Sequence, residues 1–200
     1  MTTLIFFGTI IAILVVLLRI AIKVILHESI VSSLRLLVAI IFSYSLLWSF
    51  FFLISGYKTI QMGSDICFDD WCATVTKIEK PATLVYNNQL LSPKGQFIIL
   101  HIRVSNHARG IAQKPHKPRI HIIDDKRNYW SFSAEGQEFF EKMRGKQTPI
   151  DEGLDLNQSL ETQLVFDIPK KAANPKALIE EGPFITTLIF NEDKEVFSLH

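Results

Sequence analysis

The chain has 200 residues, a formal net charge of +1 and 48% hydrophobic residues, so it is more apolar than an ordinary soluble domain. Its length leaves room for about one globular domain of roughly 100–150 residues beside an apolar segment, and it excludes several domains. The near-zero net charge gives no general electrostatic basis for binding nucleic acid, and no nucleic-acid partner is expected.

The apolar excess lies in residues 1–57, which hold only four charged side chains: Arg19, Lys23, Glu28 and Arg35. The other 143 residues carry 37 charged side chains, or 26%, which is the density of a globular domain. This division predicts a two-helix transmembrane hairpin over residues 1–57, a short linker over residues 58–64 and an exported domain over residues 65–200.

Two long apolar runs predict two membrane-spanning helices. The first covers residues 4–26, and the second covers residues 36–54 without a single charge. Trp48 and Tyr57 fit an aromatic belt at the outer interface. A cleaved signal peptide is the alternative for the first run. Because no charged segment precedes that run and no A-x-A site follows it, a retained helix is expected.

The distribution of Lys and Arg predicts the orientation of the hairpin. Arg19, Lys23 and Arg35 border the connection between the two runs, whereas only Lys58 follows the second run within about 20 residues. Residues 27–35 are therefore predicted to be cytoplasmic. Both termini, and everything after Tyr57, are predicted to lie on the other side of the membrane.

Cys67 and Cys72 follow the second run closely and enclose the segment Phe-Asp-Asp-Trp. Extended residues of about 3.4 Å each would hold the two thiols too far apart for a bond, whereas Asp69 and Asp70 favour a turn between them. In an oxidising compartment we expect a disulfide between Cys67 and Cys72, and two buried free thiols are the alternative. The spacing is neither that of a zinc site nor that of a thioredoxin-like redox pair.

Beyond residue 65 the apolar pattern changes to period two, with turn residues at short intervals, as in a sandwich or barrel. The predicted strands are residues 72–79, 83–86, 96–105, 119–123, 128–132, 161–168, 177–180, 184–190 and 195–199. One helix is predicted over Ala134–Arg144, with Phe139, Phe140 and Met143 packed inward and Gly145 at its end.

Alternation along the two longest predicted strands indicates which side chains form the core. In the first strand the apolar positions are Ile98, Leu100, Ile102 and Val104, and the opposite side reads Phe97, Ile99, His101, Arg103 and Ser105. In the second strand Leu164, Phe166 and Ile168 alternate with Gln163, Val165 and Asp167. This pattern is typical of an antiparallel sheet with one wetted face, and it predicts a core between two sheets.

Three runs resemble the Ig-like immunoprotective-extracellular type of domain: residues 94–106, residues 123–125 before Tyr129, and residues 164–169. The resemblance covers residues 65–200 and implies an Ig-like antiparallel β-sandwich. Together with the two apolar runs, the expected fold class is mainly β, with such a sandwich preceded by two transmembrane α-helices. Such domains recur in bacterial lipoproteins and membrane-anchored exported proteins. The resemblance therefore implies a protein of the bacterial cytoplasmic membrane with its C-terminal domain on the extracytoplasmic side, and it supplies no catalytic residues.

The sequence contains no motif of a familiar catalytic or cofactor site. It has no G-x-S-x-G elbow, no Gly-rich phosphate loop and no H-E-x-x-H, so we expect neither an enzyme nor a cofactor. Asp65, Asp69 and Asp70 lack the order of a calcium loop. His101, His107, His116 and His121 lack the His-x-His spacing that promotes convergence, so no metal site is expected.

Charge is distributed unevenly in the exported domain. Residues 94–123 hold six Lys or Arg and no acid, whereas residues 135–200 hold 13 acids and seven bases. A solvated face is the simplest interpretation. The more specific prediction is an anion-binding face made of His101, Arg103, Arg119 and His121, which lie opposite predicted core positions and form one cluster if their strands share a sheet.

These patterns together predict a membrane-anchored, non-catalytic binding or interaction module of the bacterial envelope. Its expected partners are the membrane, crossed by two spans, and an envelope protein or an anionic ligand. The alternative function is that of an accessory subunit that docks through its transmembrane helices to a larger membrane complex.

Overall fold

The computed structural model describes residues 2–54, 56–68, 70–182 and 194–199. The chain divides after Gly56 into two compact units. One unit contains two long helices, and the other contains the β-strands together with a short helix.

The helical unit consists of α1 (Thr2–Ile25) and α2 (Val31–Ile54). Each helix has 24 residues, so each is about 36 Å long, enough to cross a hydrocarbon core of roughly 30 Å. Large apolar side chains such as Leu14, Phe42 and Leu46 are more than half exposed, which suits contact with lipid. The two predicted apolar helices are confirmed, and both are long and apolar enough to span a membrane.

A tight connection joins the two helices. The amide of Glu28 donates to the carbonyl of Lys23 at 2.8 Å, and the amide of His27 donates to that of Val24 at 3.2 Å. His27 adopts φ +53°, the left-handed conformation that commonly ends a helix. α2 begins at Val31, five residues before the uncharged run of residues 36–54, so the helix includes part of the segment 27–35.

The β-rich unit contains eleven described strands and one helix. The strands are β1 (Tyr57–Ile60), β2 (Ile66–Phe68), β3 (Trp71–Glu79), β4 (Leu84–Tyr86), β5 (Gln89–Leu91), β6 (Gln96–Asn106), β7 (Arg119–Ile123), β8 (Tyr129–Trp130), β9 (Ser159–Ile168), β10 (Lys176–Glu180) and β11 (Lys194–Ser198), and the helix is α3 (Ala134–Arg144). A five-stranded sheet has the order β1-β11-β10-β7-β8, a four-stranded sheet has the order β2-β3-β6-β9, and β4 and β5 form a hairpin. Every described pairing is antiparallel except that of β1 with β11.

The main core lies between the two sheets, as the alternation predicted. Ile98, Leu100, Ile102 and Val104 of β6 are fully buried in it. They pack with side chains from both sheets, among them Val75, Ile122, Phe166, Ala177, Ile179 and Phe197. The fold class, two apolar helices followed by an antiparallel β-sandwich, is therefore confirmed.

A second, smaller core covers the outside of the four-stranded sheet. Phe97 and Ile99 of β6 and Val165 of β9 are buried there against Leu84 of the hairpin and Phe140 of α3. Val165 was expected on a solvent-exposed face of β9, and the structure shows that it is buried. The predicted inward packing of Phe139, Phe140 and Met143 is confirmed.

Helix α3 is held onto the edge strand β9 by specific hydrogen bonds. Ser133 caps the helix by accepting from the amide of Gly136 at 3.1 Å. The side chain of Gln137 donates to the carbonyl of Gln163 at 3.0 Å and accepts from the amide of Val165 at 2.9 Å. These bonds satisfy backbone groups that an open sheet edge would leave unpaired.

The predicted domain boundaries need one correction. Residues 58–64 do not form a linker, because Lys58, Thr59 and Ile60 belong to β1 and pair with β11. Strands β2 and β5 were not predicted, since each has only three residues and shows little periodicity. The strand predicted over residues 184–190 lies outside the described residues.

The predicted disulfide between Cys67 and Cys72 is confirmed. The two cysteines are directly opposite each other in the pairing of β2 with β3, with their Cα atoms 4.0 Å apart. The pairing of β2 with β3 thus brings the two thiols together. Cys67 is exposed, whereas Cys72 is buried.

Replacement of Cys67 by Ser should destabilise the sandwich without unfolding it. The bond closes a loop of a few residues, so its loss is expected to lower the free energy of unfolding by about 1–3 kcal/mol. Urea denaturation of the purified protein, with and without a reductant, measures this change. Reduction should destabilise the parent and leave the variant unchanged, and equal curves for parent and variant would contradict the prediction.

Gly95 allows the turn before β6 to lie against the end of β9. The amides of Lys94 and Gly95 donate to the carboxylate of Asp167 at 2.7 and 2.9 Å. A Cβ atom at residue 95 would overlap the carbonyl group of Ile168, which is backbone and cannot move aside easily. The turn therefore requires glycine for its close approach.

Gly95→Ala should lower the free energy of unfolding by about 1–3 kcal/mol, the usual cost of overpacking. Gly153→Ala is the matched control, because a Cβ atom there meets nothing within 4 Å. The control should change stability by less than about 0.5 kcal/mol. Equal effects of the two substitutions in urea denaturation would show that the close approach at Gly95 is not needed.

Candidate functional site

The structure does not bring the four predicted anion-binding residues together. His101 and Arg103 lie on β6 in the four-stranded sheet, whereas Arg119 and His121 lie on β7 in the five-stranded sheet. Residues 107–118 cross from one sheet to the other. Because the core separates the sheets and these side chains point away from it, the two pairs form separate surfaces, and the premise of a single cluster is wrong.

On the four-stranded sheet, His101 and Arg103 both have acidic neighbours. His101 Nε2 lies 3.1 Å from Glu79 Oε1, and Lys77 Nζ lies 2.6 Å from the same oxygen. The hydrogen bond from Lys77 holds the pKa of Glu79 below its usual range. Arg103 lies 3.7 Å from Asp65. This surface pairs its charges internally and leaves little excess positive charge for an anion.

On the five-stranded sheet, Arg119 belongs to a cluster built around a buried carboxylate. Glu180 of β10 is 8% exposed and lies opposite Arg119 in the pairing of β10 with β7. Its Oε1 lies 2.6 Å from Lys194 Nζ, and its Oε2 lies 3.6 Å from Arg119. Two cations surround one carboxylate, so the cluster keeps an excess of positive charge.

His121 lies beside an aromatic pair on the same outer face. Its ring meets that of Tyr129 edge to face, with centroids 6.0 Å apart. The hydroxyls of Tyr129 and Tyr57 are 2.6 Å apart, although these residues belong to β8 and β1, the two edge strands of the sheet. The aromatic pair therefore reaches across the whole outer face.

One member of the aromatic pair, Tyr57, packs on a small apolar cluster on the outer face. Ile123, Leu178 and Val196 are essentially fully buried there, with Tyr57 packed against them. Burial and the hydrogen bond to Tyr129 raise the pKa of the Tyr57 hydroxyl far above its usual value. Tyr57 is therefore a neutral hydrogen-bonding group at physiological pH.

Burial also lowers the pKa of His121 below 6.5, and nearby Arg119 and Lys194 act in the same direction while Glu180 opposes them. The imidazole is thus neutral near pH 7. His121 therefore gains its positive charge at a lower pH than an ordinary histidine does.

Acidification should destabilise the protein through His121. Because the pKa of His121 is lower in the folded state, the unfolded chain takes up the proton first, and stability falls as the pH drops from about 7 through the folded pKa. We expect His121→Gln to make this decline shallower. Free energies of unfolding measured in urea between about pH 7.5 and 5 test this, with the exposed His116→Gln as control. An unchanged slope in His121→Gln would contradict the prediction.

Sequence reasoning did not find Glu180, Lys194, Tyr57 and Tyr129 as members of this face. Tyr57 was assigned to the membrane interface because it follows the second apolar run. The sequence held one weak indication that Glu180 belongs to this face. Leu178 and Glu180 are two residues apart in a strand, so their side chains share the side opposite the core. Within the described residues no three His, Cys, Asp or Glu side chains converge as a metal site.

No family model and no curated protein matches this chain. Among solved structures, a conserved hypothetical protein from Bacillus anthracis is similar with a TM-score of 0.50 and 16% identity, covering 68% of this chain and 93% of that protein. The secreted protein MPT63 of Mycobacterium tuberculosis matches with a TM-score of 0.47 and 11% identity, covering 72% and 98%. An uncharacterized β-sandwich protein from Clostridium difficile 630 matches with a TM-score of 0.45 and 12% identity, covering 73% and 96%. At such low identity, the similarity to the Bacillus anthracis protein concerns the fold alone.

Proposed function

We propose that this protein is a membrane-anchored, non-catalytic binding module whose β-sandwich is displayed outside the cytoplasm of a bacterial cell. Two apolar helices of 24 residues support the anchoring. The disulfide supports an oxidising compartment, because such bonds are rare where thiols are kept reduced. The sequence resemblance to Ig-like immunoprotective-extracellular domains supports the bacterial envelope.

The observation that carries the proposal is the outer face of the five-stranded sheet. It combines a buried carboxylate between two cations with an aromatic pair and a neutral histidine. These groups are held by one another and by the sheet, so a partner would meet them already in position. Arg127 lies near enough to influence Tyr57 electrostatically. The excess positive charge favours an acidic segment of an envelope protein or another anionic ligand.

Site-specific photocrosslinking in intact cells tests this function. Benzoylphenylalanine replacing Tyr129, which is 48% exposed, should give a discrete adduct, whereas the same group at Val85 of the hairpin should not. Arg127→Glu should reduce the adduct several-fold because it lowers the positive charge near the face. Lys146→Glu, after α3, is the matched control and should leave the adduct unchanged. Equal adducts from residues 129 and 85 would overturn the proposal.

A second candidate function, docking to a larger membrane complex, is favoured by a groove between the two helices. The groove has a volume of about 380 Å³. Its lining includes several small or hydroxyl-bearing side chains, Gly8, Thr9, Ala12, Ala39 and Ser43, beside larger apolar ones. Small residues let helix backbones approach closely in a membrane. Benzoylphenylalanine at Leu47, which also lines the groove, should give the dominant adduct if this function is the main one.

A further inference from the structure

The chain enters the sandwich at Tyr57, and the end of the sandwich that contains Tyr57 is called here the Tyr57 end. Two loops that are hydrogen-bonded to each other lie at the same end. Tyr57 begins β1 and pairs with Lys194, the first residue of β11. Lys194 contacts Glu180 at the end of β10, and Glu180 pairs with Arg119 at the start of β7. The Tyr57 end therefore includes the loop of residues 107–118, which leads directly into β7.

The other sheet contributes to the same end. Asn106 at the end of β6 pairs with Trp71 at the start of β3. Trp71 Nε1 donates to Glu181 Oε1 at 2.7 Å, and Glu181 directly follows β10. The amide of Gly182 donates to the carbonyl of His116 at 3.0 Å. Ser159, which directly follows residues 150–158, pairs with Ser105 beside Asn106. Loops 107–118 and 150–158 thus lie at the end where the chain enters.

The two loops are joined by one buried side chain. Asn106 is 3% exposed, and its Nδ2 lies within 3.0–3.2 Å of the carbonyl oxygens of Ile111, Leu154 and Asp155. Its Oδ1 accepts from the amide of Ala108 at 2.8 Å. The backbones of Gln113 and Leu154 also exchange two hydrogen bonds, at 2.8 and 2.9 Å. The loops therefore form one ordered surface.

That surface presents two large apolar side chains to the outside. Ile111 is 57% exposed and Leu156 is 45% exposed, and Asn106 binds the carbonyls of residues 111 and 155. Single exposed apolar residues are ordinary. Here Asn106 binds the carbonyl of Ile111 and that of Asp155, which directly precedes Leu156, so both residues belong to one ordered surface at the end of the domain that the chain enters.

Charge near this apolar pair is mixed. Residues 107–118 contain Arg109, Lys114 and Lys117 and no acid. Loop 150–158 contributes Asp151, Glu152 and Asp155, and Asp151 lies 3.7 Å from Lys114. Arg109 and Lys117 are exposed. Long basic side chains of this kind reach phosphate groups while apolar neighbours enter the layer below them.

Only residues 55 and 56 separate the last residue of α2 from the first residue of β1 in the sequence. A connection of two residues spans at most roughly 10 Å. Resting on the proposed membrane anchoring, we propose that Ile111 and Leu156 insert into the headgroup region of the phospholipid bilayer, with Arg109 and Lys117 against lipid phosphates. The bilayer surface is the partner of the Tyr57 end.

Spin labelling of the full chain in phospholipid vesicles tests this inference. Both native cysteines form the disulfide, so a cysteine introduced at residue 111, 156, 90 or 41 is the single free thiol for a nitroxide. The ratio of collision rates with oxygen and with a water-soluble nickel chelate should be several-fold higher at residues 111 and 156 than at residue 90. Leu90 is the matched control, because it is 62% exposed on the distant β4–β5 hairpin.

A label at Ile41 of α2 tests the membrane anchoring separately from the insertion of Ile111 and Leu156. Lipid exposure at residue 41 with water exposure at residues 111 and 156 would overturn the insertion and leave the anchoring intact. Water exposure at residue 41 would overturn the anchoring itself. Labels at residues 111 and 156 that are shielded from both reagents would indicate a protein contact, such as a second copy, and would also overturn the insertion.

A second experiment needs no label at residue 111: the label is at residue 156, and Ile111 is substituted. Ile111→Lys should lower the oxygen-to-nickel ratio measured at residue 156 several-fold, because the apolar pair is broken. Leu90→Lys adds the same charge on the hairpin and should leave that ratio unchanged. Equal effects of the two lysines would overturn the inference.

Discussion

Strand β6 is buried on both of its faces along residues 97–100, and the rest of the sandwich depends on covering both. Ile98 and Leu100 enter the core between the sheets, whereas Phe97 and Ile99 point the other way. A strand that is apolar on both sides is stable only in the middle of a sheet with material above and below it. Accordingly, β6 pairs with both β3 and β9, and α3 with the β4–β5 hairpin covers its outer side.

The five-stranded sheet also has buried apolar side chains on its outer face. Tyr57 packs against them and is hydrogen-bonded to Tyr129, and the two tyrosines come from the two edge strands. Beside the aromatic pair, Glu180 is shielded from water but compensated by Arg119 and Lys194. A buried charge needs such partners, because an uncompensated one is strongly destabilising. The same arrangement that compensates the carboxylate also fixes the positions of the two cations on this face.

Asn106 connects this architecture to the proposed membrane contact. It is the last residue of the strand that is buried on both faces, and its side-chain amide donates hydrogen bonds to carbonyls of two loops. Buried amides with satisfied hydrogen bonds specify one loop arrangement among many. The exposure of Ile111 and Leu156 thus follows from an ordered structure.

Much of the fold could be read from local patterns. The two apolar runs, the alternation in β6 and β9, the exact limits of β7 and α3 and the Cys67–Cys72 pairing were all predictable, because each depends on neighbours close in sequence. The burial of Val165 was not, since it results from α3, which folds back from elsewhere in the chain.

The candidate site was likewise predictable from the sequence only in part. That Arg119 and His121 point away from the core could be read from the sequence, because period two follows from strand geometry alone. Two other features depend on the folded chain: His101 and Arg103 belong to another surface, and Glu180, Lys194, Tyr57 and Tyr129 join Arg119 and His121. Strand order depends on how all the apolar faces are buried together, so no local pattern encodes which sheet a strand joins.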